Sequence, residues 1–201
     1  MPLYPGDQPP QVRQISSVSD GAALTVSELV LGCHVGTHVD APAHFISGGK
    51  HVDDLDLCHF FGRAVVIDIT GRDRITLQDV SGINIPPTSH ILIKTRNSEL
   101  LPDHKFHSDY CYLLPAATER LLQFRPLSIG FDYYSVDPQS VDMFPSHLAI
   151  ARYGIPAFVC LNLRNIDPGE YGFMALPLKL PGVEGIPVRA VLLQKPGDRN
   201  V

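Results

Sequence analysis

The sequence predicts an α/β domain built on a mixed β-sheet, and three features carry that prediction. Residues 64–69 (Ala-Val-Val-Ile-Asp-Ile) and 90–95 are short apolar runs between turn-forming residues, the pattern of strands buried on both faces. Residues 114–124 carry helical periodicity, with Pro115 in the first turn and Leu121, Leu122 and Phe124 on one side. Leu127 to Phe131 follows as another strand, so strand and helix alternate. With 201 residues, 44% of them hydrophobic, the chain is sized for one core, and a single domain spanning 1–201 is expected.

The elements follow in order. Residues 1–12 are rich in proline and predict an irregular arm. Residues 25–32 predict a strand running directly into a histidine-rich segment, and Ser47-Gly48-Gly49-Lys50 a loop. His51 beside Asp53 and Asp54 reads as a solvated polar cluster. A brief helix from Thr76 to Val80 is expected, capped by Thr76. His104 and His107 fall in a polar connection and receive no role. Ser146 reads as the N-cap, and Gly154 as the stop, of a helix carrying His147. A strand from Ala157 to Leu163 follows. Tyr171 to Leu180 and Pro187 to Gln194 then pair as closing strands around Gly182-Val183-Glu184-Gly185.

The net charge is −5, and no basic run or aromatic-basic interleaving accompanies it, so nucleic acid and anionic membrane are poor partners. A small molecule is the expected partner. Cys33, Cys58, Cys111 and Cys160 lack CxxC spacing and read as buried free thiols of a reducing compartment. No membrane span or secretory signal is evident, which makes a soluble, cytoplasmic protein the expectation.

The chemistry concentrates in Cys33-His34-Val35-Gly36-Thr37-His38-Val39-Asp40-Ala41-Pro42-Ala43-His44-Phe45. Three imidazoles and a carboxylate fall within the eleven positions from His34 to His44. Imidazole nitrogen and carboxylate oxygen are donors for zinc or manganese. A helix is disfavoured by Val, Thr and Gly and by Pro42, which biases Ala41 away from helical backbone. An extended chain places His34, His38 and Asp40 on one face, but full extension separates the α-carbons of His34 and His38 by roughly 13 Å. The chain must therefore bend, and Gly36 is the natural place. The expected geometry has His34, His38 and Asp40 converging on one ion, with His44 looking back from beyond Pro42.

The pattern His34-x-Gly36-Thr37-His38-x-Asp40-x-Pro42-x-His44-Phe45 resembles the signature of the cyclase-like metal-dependent hydrolase family, which includes bacterial kynurenine formamidases and isatin hydrolases. Weaker likenesses run along nearly the whole chain: Tyr4-Pro5-Gly6-Asp7, Ile91 to Thr95, Ile129-Gly130-Phe131-Asp132 with Ser135, Ser146-His147, and Gly185-x-Pro187-Val188-Arg189-Ala190. The resemblance implies a swivelling β/β/α, barrel-like sheet with flanking helices. It also implies a homodimer or homotetramer, an arm whose aromatic residue, here Tyr4, contacts substrate, and a strand ahead of that arm for which this sequence begins too late. Phe45 is the second expected substrate contact.

One position departs from the family pattern. Two-zinc formamidases place a bridging Glu twelve residues after the helix His, where this chain has Val159. Valine cannot ligate, so one ion on His34, His38 and Asp40 is expected and a second is doubtful. Strand alternation should point Cys160 to the opposite face. His147 is then a weak fourth ligand or a transition-state contact, and His44 the acid–base group. The expected reaction is hydrolysis of a small amide, formamide or cyclic amide. Alternatives are a cyclase or dehydratase running the reverse chemistry, a catalytically impaired binding protein, and histidines that merely hold an oligomer together.

Overall fold

The computed structural model describes residues 1–103, 105–141 and 143–194. Twelve strands are present among them: β1 (Gln11–Ser16), β2 (Val26–Val30), β3 (His38–Asp40), β4 (Phe61–Asp68), β5 (Arg74–Ile75), β6 (His90–Lys94), β7 (Tyr112–Leu113), β8 (Ser128–Phe131), β9 (Ala157–Val159), β10 (Gly169–Met174), β11 (Gly185–Pro187) and β12 (Val191–Leu193). The helices are α1 (Leu77–Ser81), α2 (Asn97–Leu100), α3 (Pro115–Leu122) and α4 (Pro145–Tyr153). Eight strands form one curled half-barrel sheet in the order β11-β3-β9-β8-β6-β4-β10-β12. Its centre, β9-β8-β6-β4, is parallel, and both flanks are antiparallel. The mixed α/β architecture is therefore the one the sequence predicts.

Strand alternation divides the core between the two faces of this sheet. Ile91, Ile93, Ile129 and Phe131 pack with Leu121 and Ile150 of the helices, while Leu92, Val66, Phe158 and Phe173 pack on the other face. Gly130 on β8 leaves room for that second layer, because a β-carbon there would lie 2.5 Å from Leu92 Cδ2 and 2.6 Å from Leu161 Cδ1. Asp132, just past β8, accepts hydrogen bonds from the backbone and hydroxyl of both Thr95 and Ser98, at 2.6–3.1 Å, and ties β8 to the exit of β6.

Several sequence expectations are corrected. The arm is irregular only through Pro10, since β1 begins at Gln11. β2 does not run into the histidine segment: it ends at Val30, pairs with β1 in a separate exposed hairpin, and a turn intervenes before β3. The strand predicted from Ala157 to Leu163 stops at Val159, because Cys160 adopts φ 54°. Ser146 is not the N-cap of α4; Phe144 occupies that position with Pro145 next, and the Ser146 hydroxyl donates to Leu113 O. All four cysteines are free, but only Cys111 and Cys160 are buried, whereas Cys58 is exposed. His51 does sit at the head of a short 3-10 turn with Asp54, and Asp53 accepts from the Gly182 N–H. His104 lies outside the described residues. Among those described, no helix is long and apolar enough to cross a membrane.

Candidate metal centre and active-site pocket

The site is built on β3, whose alternation sends Val39 into the core and His38 and Asp40 to the opposite face. The chain enters β3 through a bend at Gly36, which has φ 64° and whose N–H donates to Pro2 O at 2.9 Å. A side chain there would be strained by the backbone and would meet Met1 Cε at 2.7 Å. Beyond β3, Ala41 is extended, as the residue before a proline tends to be, and Pro42–His44 forms a 3-10 turn. That turn brings the His44 ring back over His34, stacked with centroids 4.0 Å apart.

Asp40 is the hub. Its Oδ1 lies 2.8 Å from His34 Nδ1 and 3.3 Å from His38 Nε2, and its Oδ2 lies 3.9 Å from His147 Nε2. Burial works against the charge of Asp40, but attraction and hydrogen bonds from His38 and His34 outweigh it and hold the carboxyl well below the usual range. His34, His38 and Asp40 each offer one donor atom, all within 4.8 Å of one another, so the donor set fits a divalent ion. The Nδ1 of His38 lies 2.7 Å from Gly36 O, and a carbonyl can only accept. Nδ1–H therefore donates there, which leaves Nε2 as the nitrogen that would ligate an ion held beside Asp40.

His147 comes from the first turn of α4. Asp137 fixes that turn with both oxygens: Oδ1 accepts the Ser146 N–H at 2.8 Å, and Oδ2 accepts the His147 N–H at 2.9 Å and Nδ1–H at 2.8 Å. Here Asp137 does the capping that sequence reasoning gave to Ser146. Sequence reasoning missed Asp137 altogether, because its partners lie across a turn rather than at a helix-cap spacing. Although burial opposes it, the pairing with His147 keeps the Asp137 carboxyl below its ordinary range.

His44 is exposed toward the pocket, and its imidazole is held below the ordinary range by desolvation and by the neighbouring His34 and His147. A neutral imidazole at pH 7 can accept a proton. The cavity above Asp40 measures about 380 Å³, a volume in keeping with small-molecule sites. Its apolar wall is aromatic: Phe45 stacks on the His147 ring at 4.7 Å, Phe144 stands 6.1 Å from Phe45, and Tyr4 packs edge-on against Phe106 at 5.2 Å. Tyr4, Phe45, His44 and His147 thus border one space with His34, His38 and Asp40.

Val159 is fully buried and pairs with His38 across β3 and β9, which puts an aliphatic side chain beside the donor cluster. A second ion at Asp40 Oδ2 and His147 Nε2 has no third ligand among the described residues there. Cys160 does not lie on the opposite face; its positive φ ends the alternation, and it packs in the same cluster as Ala157. Desolvation, with Asp40 nearby, pushes its thiol up, so it stays protonated. It belongs to neither donor group.

The half-barrel and a His/Asp cluster beneath an aromatic cavity define the class of protein: a mixed-sheet α/β fold with a candidate metal centre. The pattern of a family described as a putative cyclase matches residues 1–138, and the chain belongs to that family. It is 33% identical over 195 residues to a kynurenine formamidase of Geobacillus thermodenitrificans, covering 96% of this chain and 91% of that protein. Among solved structures, a potential metal-dependent hydrolase with cyclase activity matches with TM-score 0.82 at 27% identity, covering 98% of this chain and 93% of the other. Isatin hydrolase A from Ralstonia solanacearum matches with TM-score 0.82 at 25% identity, covering 95% and 84%.

Proposed function

We infer that this protein is a metal-dependent hydrolase cleaving a C–N bond of a small amide, formamide or cyclic amide. The observation that carries this reading is the convergence of His34, His38 and Asp40 at the floor of an aromatic-walled cavity. With a divalent ion bound there, zinc or manganese, the chemistry supplied is activation of water near neutral pH and polarisation of a carbonyl. One ion per chain is the expected load, because Val159 leaves a second position short of an anionic ligand.

The remaining steps belong to the chain. Tyr4 and Phe45 hold a planar substrate against the wall. Neutral His44 takes a proton from the attacking water and delivers it to the leaving nitrogen, so both transfers use one imidazole. His147 is tethered by Asp137 through Nδ1; with a second proton on Nε2 it donates to the oxygen on which charge develops, and without that proton it is a weak fourth ligand to the ion. Kinship with formamidase and isatin hydrolase relatives supports an amide or lactam substrate. Turnover of formanilides, isatins and lactones, with and without added manganese or zinc, tests the reading. Metal-dependent hydrolysis of an amide or lactam is the expected result.

Val159 favours one second reading, a family member that binds a small molecule without turning it over. Silence across the whole panel despite a bound ion would support that reading over hydrolysis; the reverse, ring-closing reaction would be seen by offering the opened acids. A cytoplasmic homodimer or homotetramer is also proposed. Its support is the β1–β2 hairpin, which exposes the cross-strand pair Val12 and Leu29 and, on its other face, Val30, apolar side chains of the kind that mark association. Sedimentation at working concentration checks it.

A further inference from the structure

Each of the three imidazoles around Asp40 presents one ring nitrogen to that carboxylate and has the other nitrogen held by an acceptor. For His38 the outer acceptor is Gly36 O, and for His147 it is Asp137. For His34 the nitrogens exchange places: Nδ1 faces Asp40 Oδ1 at 2.8 Å, and Nε2 lies 3.1 Å from Glu184 Oε1. We propose that Glu184 is a positioning residue of the metal centre, accepting the Nε2–H of His34 and thereby fixing the Nδ1 lone pair on the ion that His38 and Asp40 share. This deepens the single-ion reading above and rests on it.

The backbone holds Glu184 in place for this role. Its carbonyl accepts the Ala41 N–H at 2.8 Å, the preceding Val183 O accepts the Val52 N–H at 3.0 Å, and the following Gly185 pairs with Asp40 itself. Gly185 is needed there, because a β-carbon would come within 2.5 Å of His34 Cε1. The His34 ring is thus confined between the Glu184–Gly185 backbone and the stacked His44 ring, with a carboxylate at each nitrogen. An ionised acceptor on the outer nitrogen fixes the tautomer, makes the inner nitrogen a better donor, and is worth about 10–100-fold in metal affinity. It also brings a negative charge to the centre from the flank opposite Val159, where the family's bridging carboxylate is missing.

Glu184 could instead bind an ion directly, since His34, His44 and Glu184 also offer donors within 4.8 Å of one another. That ion would need the Nε2 lone pair, whereas the His34/His38/Asp40 ion needs Nδ1, and a neutral imidazole has only one free lone pair. The two arrangements therefore exclude each other, and a His38→Ala variant titrated alongside separates them, because His38 belongs only to the first.

The test is titration of metal-stripped protein with Mn(II) and Zn(II) against a chelator of known affinity, for wild type, Glu184→Gln and Glu184→Ala, with His38→Ala alongside. Thermal unfolding of the metal-free proteins is followed in parallel. The Glu184 side chain is 42% exposed, so truncation should leave the fold and the metal-free midpoint unchanged. The expected result is one ion per chain in wild type and both Glu184 variants, held about 10–100-fold more weakly in Glu184→Ala and by a smaller factor in Glu184→Gln. Affinity unchanged in both variants overturns the proposal while leaving the single-ion centre standing. One ion that is lost in Glu184→Ala but retained in His38→Ala overturns it in favour of direct ligation. Wild type that takes up no ion overturns the single-ion reading and this proposal together.

Discussion

At the residue scale, His38 and His44 have separable tasks, and the geometry says how to separate them. His38 points its Nε2 lone pair at the ion position and is buried, so His38→Ala should abolish both metal uptake and turnover, read by metal analysis and assay. His44 stacks above His34 from the exposed side and handles the proton. His44→Ala should keep the ion while turning over about 100-fold more slowly, and retained turnover would remove His44 from that role. The need for a bend at Gly36 was legible from the sequence, because extended backbone cannot bring His34 to His38. Val159 was legible as a missing ligand only through the resemblance, which implies a Glu twelve residues after His147, where valine cannot ligate. Glu184 and Asp137 were not. The former meets His34 across 150 residues, and no local spacing encodes a contact that only the sheet brings about.

At the element scale, the strands with buried runs on both faces and the helices with a clear cap or periodicity were the legible ones. β4, β6, β8, α1 and α3 fall where predicted, since the apolar spacing that names them is also the spacing that packs them. β2 was found where expected but its end was overrun, because it is an exposed hairpin strand with no core to report that end, and β9 was overrun because Cys160 leaves the strand with φ 54°. The capping box of α1 allows a test. Asp79 accepts from the Thr76 backbone at 2.9 Å and hydroxyl at 2.6 Å, and these bonds, with Arg72 beside it, lower its carboxyl to about 2. Asp79→Asn should cost about 1 kcal/mol in denaturant unfolding at pH 7. A lowered carboxylate contributes above its unfolded value of 3.8, so that cost should shrink as pH falls from 3.8 through about 2.

At the scale of the whole molecule, the parallel centre of the sheet carries a buried base that couples stability to acid. His90 opens β6, is fully buried, and lies 2.7 Å from Ser128 Oγ on β8. Desolvation, reinforced by His59, pulls its imidazole down to about 4. The unfolded chain takes up that proton near 6.5 and the folded one does not until about 4. The contribution of His90 is thus fully present above pH 6.5 and is lost as pH falls toward 4. The urea midpoint of metal-free protein should drop across that window, and the His90 ring protons should stay unshifted in NMR titration until near the lower end.

The account as a whole turns on one ion gripped by His38 and Asp40 of β3 and by His34 from before the Gly36 bend. Metal content per chain, measured on protein purified without added ions, tests it most directly. Near one equivalent of zinc or manganese in wild type, falling to near zero in His38→Ala, is the predicted result. Two equivalents per chain, or a single equivalent that survives His38→Ala, would contradict it.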